Sequence, residues 1–217
     1  MKIIFIFMWF AFTFSKNIIL IGDLRTYLMA VRFLDIPINA KYSINNNNPY
    51  RYKGHSIYVI AKKGASINDF FSNSGCFYSE LRKRIHDLYS KSPGTYVFLM
   101  LGINSIKNYG SIGKFYKDLA QVYKSVNFYA FSVVGINEGS SKNINDVTNN
   151  QILLFNQKLS HIISENKKYT PNLVFKDIVK DPLTLKNGQK VIKCLFDGIN
   201  FNKEGSKIVF DLMIEGL

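Results

Sequence analysis

Short apolar runs recur along the chain, and each ends at a glycine or a small polar residue before a stretch with helical spacing. Ile18-Ile19-Leu20-Ile21 stops at Gly22-Asp23, and an apolar helical face then continues through Leu34 until Pro37 interrupts it. Ser56-Ile57-Tyr58-Val59-Ile60 forms a second run that exits through Lys62-Lys63-Gly64-Ala65-Ser66. Residues 42–53, between them, are polar and rich in asparagine and tyrosine, and they read as a loop. Residues 76–89 are amphipathic, and Pro93-Gly94 marks a turn. Thr95-Tyr96-Val97-Phe98-Leu99-Met100-Leu101 is apolar throughout, as a strand covered on both faces would be, and it exits through Gly102-Ile103-Asn104-Ser105. A helix is expected over 112–126, a strand over 127–134 and a polar loop over 135–145. Ile152, Phe155, Leu159 and Ile163 share one face of a long helix at 149–166. A short strand at 172–175 and an irregular segment at 176–196 lead to Asp197-Gly198-Ile199-Asn200 and a last helix over 202–215.

Strands alternating with helices predict βαβ units with right-handed crossovers. The fold class is therefore α/β: a three-layer α/β/α sandwich around a mostly parallel five-stranded sheet, flavodoxin-like in outline, with residues 16–217 as one domain. Ligands of such sheets sit beyond the carboxyl ends of the strands. Gly22-Asp23, Gly64, Gly102-Ile103-Asn104 and Asp197 all fall on those ends.

Composition narrows the class. With 217 residues, 47% of them apolar and 15% aromatic, the chain can bury a substantial core and is not a disordered polymer. The net charge of +13 is dispersed, as in Lys62-Lys63, Arg82-Lys83-Arg84 and Lys167-Lys168, so no nucleic-acid tail is present. The charge predicts a solvated basic surface and attraction to anionic surfaces. Lys2, the apolar residues 3–14 and the small Thr13 and Ser15 predict a secretory signal over residues 1–15. That apolar run is short of the roughly 20 residues needed to span a bilayer, although an uncleaved anchor is the competing reading. The expected location is outside the cell or at its envelope. Cys76 and Cys194 fit either one disulfide or unpaired burial. No metal or cofactor motif is visible, so neither is expected.

Taken in order, Gly22-Asp23-Leu24-Arg25-Thr26, Gly64-Ala65-Ser66, Gly102-Ile103-Asn104 and Asp197-Gly198-Ile199-Asn200-Phe201 resemble the sequence blocks of the SGNH, or GDSL, hydrolases. The resemblance runs from about residue 17 to 215. Val147-Thr148-Asn149 before the long helix is similar to secreted members from low-GC bacteria. The resemblance implies ester hydrolysis by a serine after Gly-Asp, an oxyanion site, and an Asp-x-x-His that supplies base and orienting carboxylate. Gly64 and Asn104 match the oxyanion positions, together with the backbone N–H of residue 24, and Asp197 matches the triad aspartate. Leu24, however, stands at the serine position and Asn200 at the histidine position.

Leucine has no nucleophilic atom, and an asparagine amide does not titrate near neutral pH. Loss of the serine or histidine of such a triad typically costs on the order of 10⁶ in turnover. The expectation is a pseudoenzyme whose oxyanion-type cleft, at Leu24, Gly64 and Asn104, binds a glycan or an acylated cell-envelope ligand, with Asp23, Arg25, Ser66 and Ser105 as pocket residues. Asp23 is expected to cap the following helix. Arg25 is expected to pair with Asp23, Asp197 or an anionic ligand, and Asp197 to bond loop amides or Asn200. Two readings compete. One is an active esterase, acyl hydrolase or O-acetyltransferase with a relocated nucleophile, for which Thr26, Ser66, Ser105 and Cys194 are the candidates. The other is a structural or interaction protein that uses its basic outer face. His55 is placed at the amino edge of the sheet, and His86 and His161 lie within helices, so none is positioned as a base.

Overall fold

The computed structural model describes residues 15–36, 43–45, 48–66, 69, 76–90, 94–140 and 146–217, with the side chains of 43–45, 76–78 and 80 left aside. Residues 1–14 of the expected signal segment, Pro93 and the side chain of Cys76 lie outside the described residues.

The chain opens with β1 (Asn17–Gly22), α1 (Leu24–Arg32), β2 (Ser43–Asn45), β3 (Tyr50–Tyr52), β4 (His55–Lys62) and α2 (Cys76–Tyr89). It continues through β5 (Thr95–Met100), a 3₁₀ turn at Ile103–Asn108, α3 (Tyr109–Val122), β6 (Asn127–Phe131) and α4 (Asn149–Glu165). The last part holds β7 (Leu173–Lys176), β8 (Val179–Asp181), β9 (Thr184–Leu185), α5 (Val191–Cys194) and α6 (Lys203–Ile214).

Five parallel strands lie in the order β4-β1-β5-β6-β7. Because successive side chains of a strand face opposite ways, the apolar run of β1 feeds two cores at once. Ile19 and Ile21 join Leu81, Ile85, Phe115, Leu119, Phe155 and Leu159 of α2, α3 and α4. Ile18 and Leu20 join Tyr27, Met29, Val209, Phe210 and Met213 of α1 and α6. The architecture is thus the expected α/β/α sandwich.

Three local expectations need correction. Residues 42–53 are not simply a loop: β2 and β3 within them pair antiparallel with β4, making a seven-stranded sheet. Strands this short carry no legible alternation. The irregular segment 176–196 holds the antiparallel pair β8–β9 and the single turn α5. The helix expected over 112–126 starts earlier, at Tyr109, and ends at Val122. The Asn172 side-chain amide lies near its end and donates to the carbonyls of Ala120, Tyr123 and Val126 at 3.1, 3.0 and 2.9 Å.

Beyond β6 the chain leaves the sheet, and two asparagines of α4 supply the lost pairing. Asn156 accepts from the Val133 N–H at 2.8 Å and donates to its carbonyl at 2.9 Å. Asn149 bonds the N–H and carbonyl of Ile136 in the same way, both at 2.9 Å. Each amide acts as a one-residue strand edge. Asn156→Ala leaves two buried backbone groups without partners, at about 1–3 kcal/mol each. Urea denaturation of that variant is expected to show a midpoint lowered by the equivalent of about 3 kcal/mol with an unchanged slope.

Candidate functional site

The connections from β1 run first to β4 on one side and later to β5 on the other, so the topological switch point lies between β1 and β5. Gly22-Asp23 leaves β1 there, and Leu101-Gly102-Ile103 leaves β5. Gly22 has to be glycine. A Cβ on it would sit 1.9 Å from the Thr26 hydroxyl oxygen and 2.6 Å from the Met100 carbonyl oxygen.

Asp23 is the N-cap of α1 and accepts from the Arg25 N–H at 3.0 Å. Burial pushes its carboxyl up to about 6, against the opposing pull of the Arg25 charge and of backbone N–H groups of Arg25, Gly102 and Ile103. One carboxylate therefore links the start of α1 to the exit of β5. Arg25 is buried too, and its partners differ from those expected. Its guanidinium donates to carbonyls: Nε to Ile199 and Nη2 to Gly135, both at 3.0 Å, and Nη1 to Val134. It lies 5.1 Å from the centre of the Phe201 ring. Among the described residues it forms no ion pair with Asp23 or Asp197. Burial lowers its pKa to about 10, while the charges of Asp23 and Asp197 support the cation.

The Asp197 loop is tightly folded. Asp197 Oδ1 accepts from the N–H groups of Ile199 and Asn200 at 3.0 and 2.7 Å, and Oδ2 accepts from the Asn200 side-chain amide at 2.7 Å. Partial burial raises the Asp197 pKa, but the bonds from Asn200 and Ile199 together outweigh it, and the carboxyl lies below its usual range. Asn200 is only 7% exposed, and its Oδ1 has no hydrogen-bond partner. A triad histidine would present one N–H to the aspartate and one acceptor outward. Asn200 keeps both hydrogen-bonding characters but cannot carry the proton. The loop is clamped from outside by the Asn137 N–H on the Gly198 carbonyl at 2.7 Å and by the Ser140 hydroxyl on the Asp197 carbonyl at 2.6 Å. Gly198 has φ +81°, and a Cβ there would lie 2.6 Å from that of Ser140.

The remaining expected site residues make the following contacts. Leu24 is half-buried and packs with the apolar layer under α1 and α6. The Asn104 amide donates to the Ala65 carbonyl at 3.1 Å and so ties the 3₁₀ turn to the exit of β4. Gly64 is exposed, with φ +73°. Ser66 gives both its N–H and its hydroxyl to Asp69 at 2.8 and 3.2 Å, and Asp69 is paired with Lys62 at 2.6 Å. Ser105 is buried and its N–H donates to the Gly102 carbonyl at 2.9 Å. A cavity of about 20 Å³ at the switch point is lined by Asp23, Arg25, Gly102, Ile103, Val133 and Phe201, among others. Leu24, Gly64, Ser66, Asn104, Ser105 and Asn200 are outside its lining. It has room for about one water molecule.

The remaining nucleophile and base candidates lie on separate elements of the fold. Thr26 is fully buried, and its hydroxyl has no partner. Cys194 is buried and free of any disulfide, and burial followed by the Glu204 charge pushes its thiol up. His55 starts β4 at the amino edge, where its Nδ1 accepts from the Lys16 N–H at 3.3 Å. His86 is exposed, and His161 is exposed and faces Glu165 at 3.2 Å. Sequence reasoning missed Asn149 and Asn156, because a single asparagine in a helical pattern gives no sign of a backbone partner elsewhere.

Solved structures supply the comparison. A GDSL-like lipase from Bacteroides thetaiotaomicron aligns with TM-score 0.57 at 15% identity, over 91% of this chain and 85% of its own. A member of the lipolytic G-D-S-L family from Veillonella parvula aligns with TM-score 0.54 at 14% identity, over 94% and 98%. A protein from Streptococcus pneumonia, provisionally named as a platelet activating factor, aligns with TM-score 0.62 at 15% identity, over 94% and 85%. The fold is that of the GDSL/SGNH hydrolases. No protein-family model matches the sequence, and no curated protein matches it.

The two carboxylates of the site act oppositely on stability. Asp23, raised from 3.8 to about 6, holds a proton in the folded state that the unfolded chain releases, so its contribution falls as pH rises from about 4 to about 6 and stays low above. The shift corresponds to about 3 kcal/mol. Asp197, whose pKa is depressed, contributes stability above the unfolded value of 3.8 that is lost as pH falls through its folded pKa. Urea titrations from pH 4 to 7 are expected to show Asp23→Asn gaining stability relative to the native chain as pH rises. In titrations extended below pH 4, Asp197→Asn is expected to lose the native chain's steeper decline there.

Proposed function

We propose that the protein is a non-hydrolysing SGNH-type protein that holds an acylated or carbohydrate ligand at the cell envelope without cleaving it. The observation that carries this reading is the 2.7 Å bond from the Asn200 amide to Asp197 Oδ2, which commits the triad carboxylate to a group that cannot shuttle a proton. Leu24 completes the loss, since no attacking atom stands at the first position of α1. The oxygen-binding groups persist in the sequence. The N–H of residue 24, the N–H of Gly64 and the second N–H of the Asn104 amide are donors of the kind that receive a carbonyl or carboxylate oxygen. Leu24 brings no polar side-chain atom to this position, which suits an acyl or acetyl group. The apolar N-terminal segment and the basic surface agree with an extracellular setting rich in anionic polymers. The ligand class itself is taken from the solved relatives named for lipase activity.

Activity measurements test this reading. The purified protein is expected to take no fluorophosphonate label and to leave p-nitrophenyl acetate intact. Leu24→Ser alone should restore little, because no base is present. Leu24→Ser with Asn200→His should exceed that single variant by about 10²-fold or more, the usual contribution of a positioned general base. Hydrolysis by the unmodified chain at serine-esterase rates, abolished by Asn104→Ala, would overturn the proposal.

A further inference from the structure

The segment before the Asp197 loop gathers exposed apolar side chains inside a rim of cations. Leu183, Ile192 and Phe196 are 46%, 51% and 52% exposed. Backbone bonds draw them together. The Val191 N–H donates to the Leu183 carbonyl at 2.9 Å, and Thr184 pairs with Lys190 in an antiparallel bridge. The Leu195 N–H then donates back to the Ile192 carbonyl just before Phe196. Lys180, Lys190 and Lys193 are exposed in the same segment, while Lys186, also exposed, lines a separate pocket with Asp177 and Glu215. None of the four forms an ion pair among the described residues. Asp181 is the only acid between residues 180 and 196, and it accepts the Leu183 N–H at 2.9 Å. The Arg32 guanidinium stacks 3.8 Å from the centre of the Phe196 ring, which fixes the ring and adds a further cation.

A single exposed leucine needs no explanation, whereas large apolar groups gathered within a polar rim do. A soluble polyanion would engage the lysines and leave the apolar side chains in water. An anionic bilayer satisfies both, with apolar groups entering the headgroup boundary and cations at the level of the phosphates. We infer that this face docks onto an anionic lipid bilayer, with Leu183, Ile192 and Phe196 inserting and Lys180, Lys190, Lys193 and Arg32 lying against the headgroups. Phe196 directly precedes Asp197, so docking brings the loop of Asp197 and Asn200 against the lipid surface. This inference is independent of the ligand proposed above.

Sedimentation of the full chain with vesicles tests it. The vesicles are phosphatidylcholine alone, or phosphatidylcholine mixed with phosphatidylglycerol. The apolar residues 3–14 are common to every variant, so the comparison reads only the face in question. The native chain is expected to pellet with the phosphatidylglycerol vesicles and much less with neutral ones. Lys190→Glu with Lys193→Glu should weaken that binding by about tenfold or more. Leu183→Ser with Ile192→Ser should do the same, with the thermal unfolding midpoint followed by circular dichroism to show that the fold is kept. Ile192→Ser alone serves where the pair fails to fold. Equal binding to both vesicle types would overturn the inference. So would loss on charge reversal with no loss on removing the apolar side chains, which would mark a polyanion surface instead.

Discussion

The geometry of the candidate site depends on one buried cation. Arg25 sits three residues after the end of β1, and its guanidinium gathers the carbonyls of Val134, Gly135 and Ile199. These lie 109, 110 and 174 residues away in sequence. Burying a cation is unfavourable unless its donors are satisfied, so the fork is stable only when all three segments are in place. A lysine would offer no planar fork and could not hold this set in the same way. Arg25 thereby fixes the Asp197 loop against the exit of β6, while Asp23 fixes the start of α1 against the exit of β5.

This arrangement explains how the carboxyl edge keeps its form with leucine at position 24 and asparagine at position 200. The Asp197 loop is organised by hydrogen bonds from Asn200 and Ile199 and by Asn137 and Ser140 from outside. Asn200 preserves a donor toward Asp197, so exchanging a titrating side chain for an amide leaves the contact intact. Leu24, at the first position of α1, requires only helical backbone and an apolar neighbour, and both are present. The geometry of this edge rests on Arg25, Asp23 and the loop bonds.

Much of the fold was legible because β1 and β5 each carry an unbroken apolar run, Ile18-Ile19-Leu20-Ile21 and Val97-Phe98-Leu99-Met100, and the helices repeat at their own period. The exits of β1, β4 and β5 could be placed from Gly22, Gly64 and Gly102 for the same reason. What escaped is set by partners distant in sequence. The short β2 and β3 exist because the edge of β4 offers unpaired groups, not because their residues alternate. Arg25 looked like a partner for carboxylates, since Asp23 and Asp197 are the conspicuous charges, yet bare carbonyls took its donors. The water-sized cavity was also beyond reach, because the closeness of Phe201 and Val133 to Asp23 and Arg25 is a matter of packing.

The short antiparallel strands on β4 have a further consequence, for self-association. A parallel sheet ends in two rows of unpaired backbone groups, and either row can recruit a strand from another molecule. Here β2 and β3 occupy the β4 side. The opposite border, β7, is only four residues long and finishes on Lys176. A brief edge that ends in a cation is a poor template for a second chain. The sheet is thus shielded against growing into an aggregate by two unlike devices, a cover at one border and brevity with charge at the other.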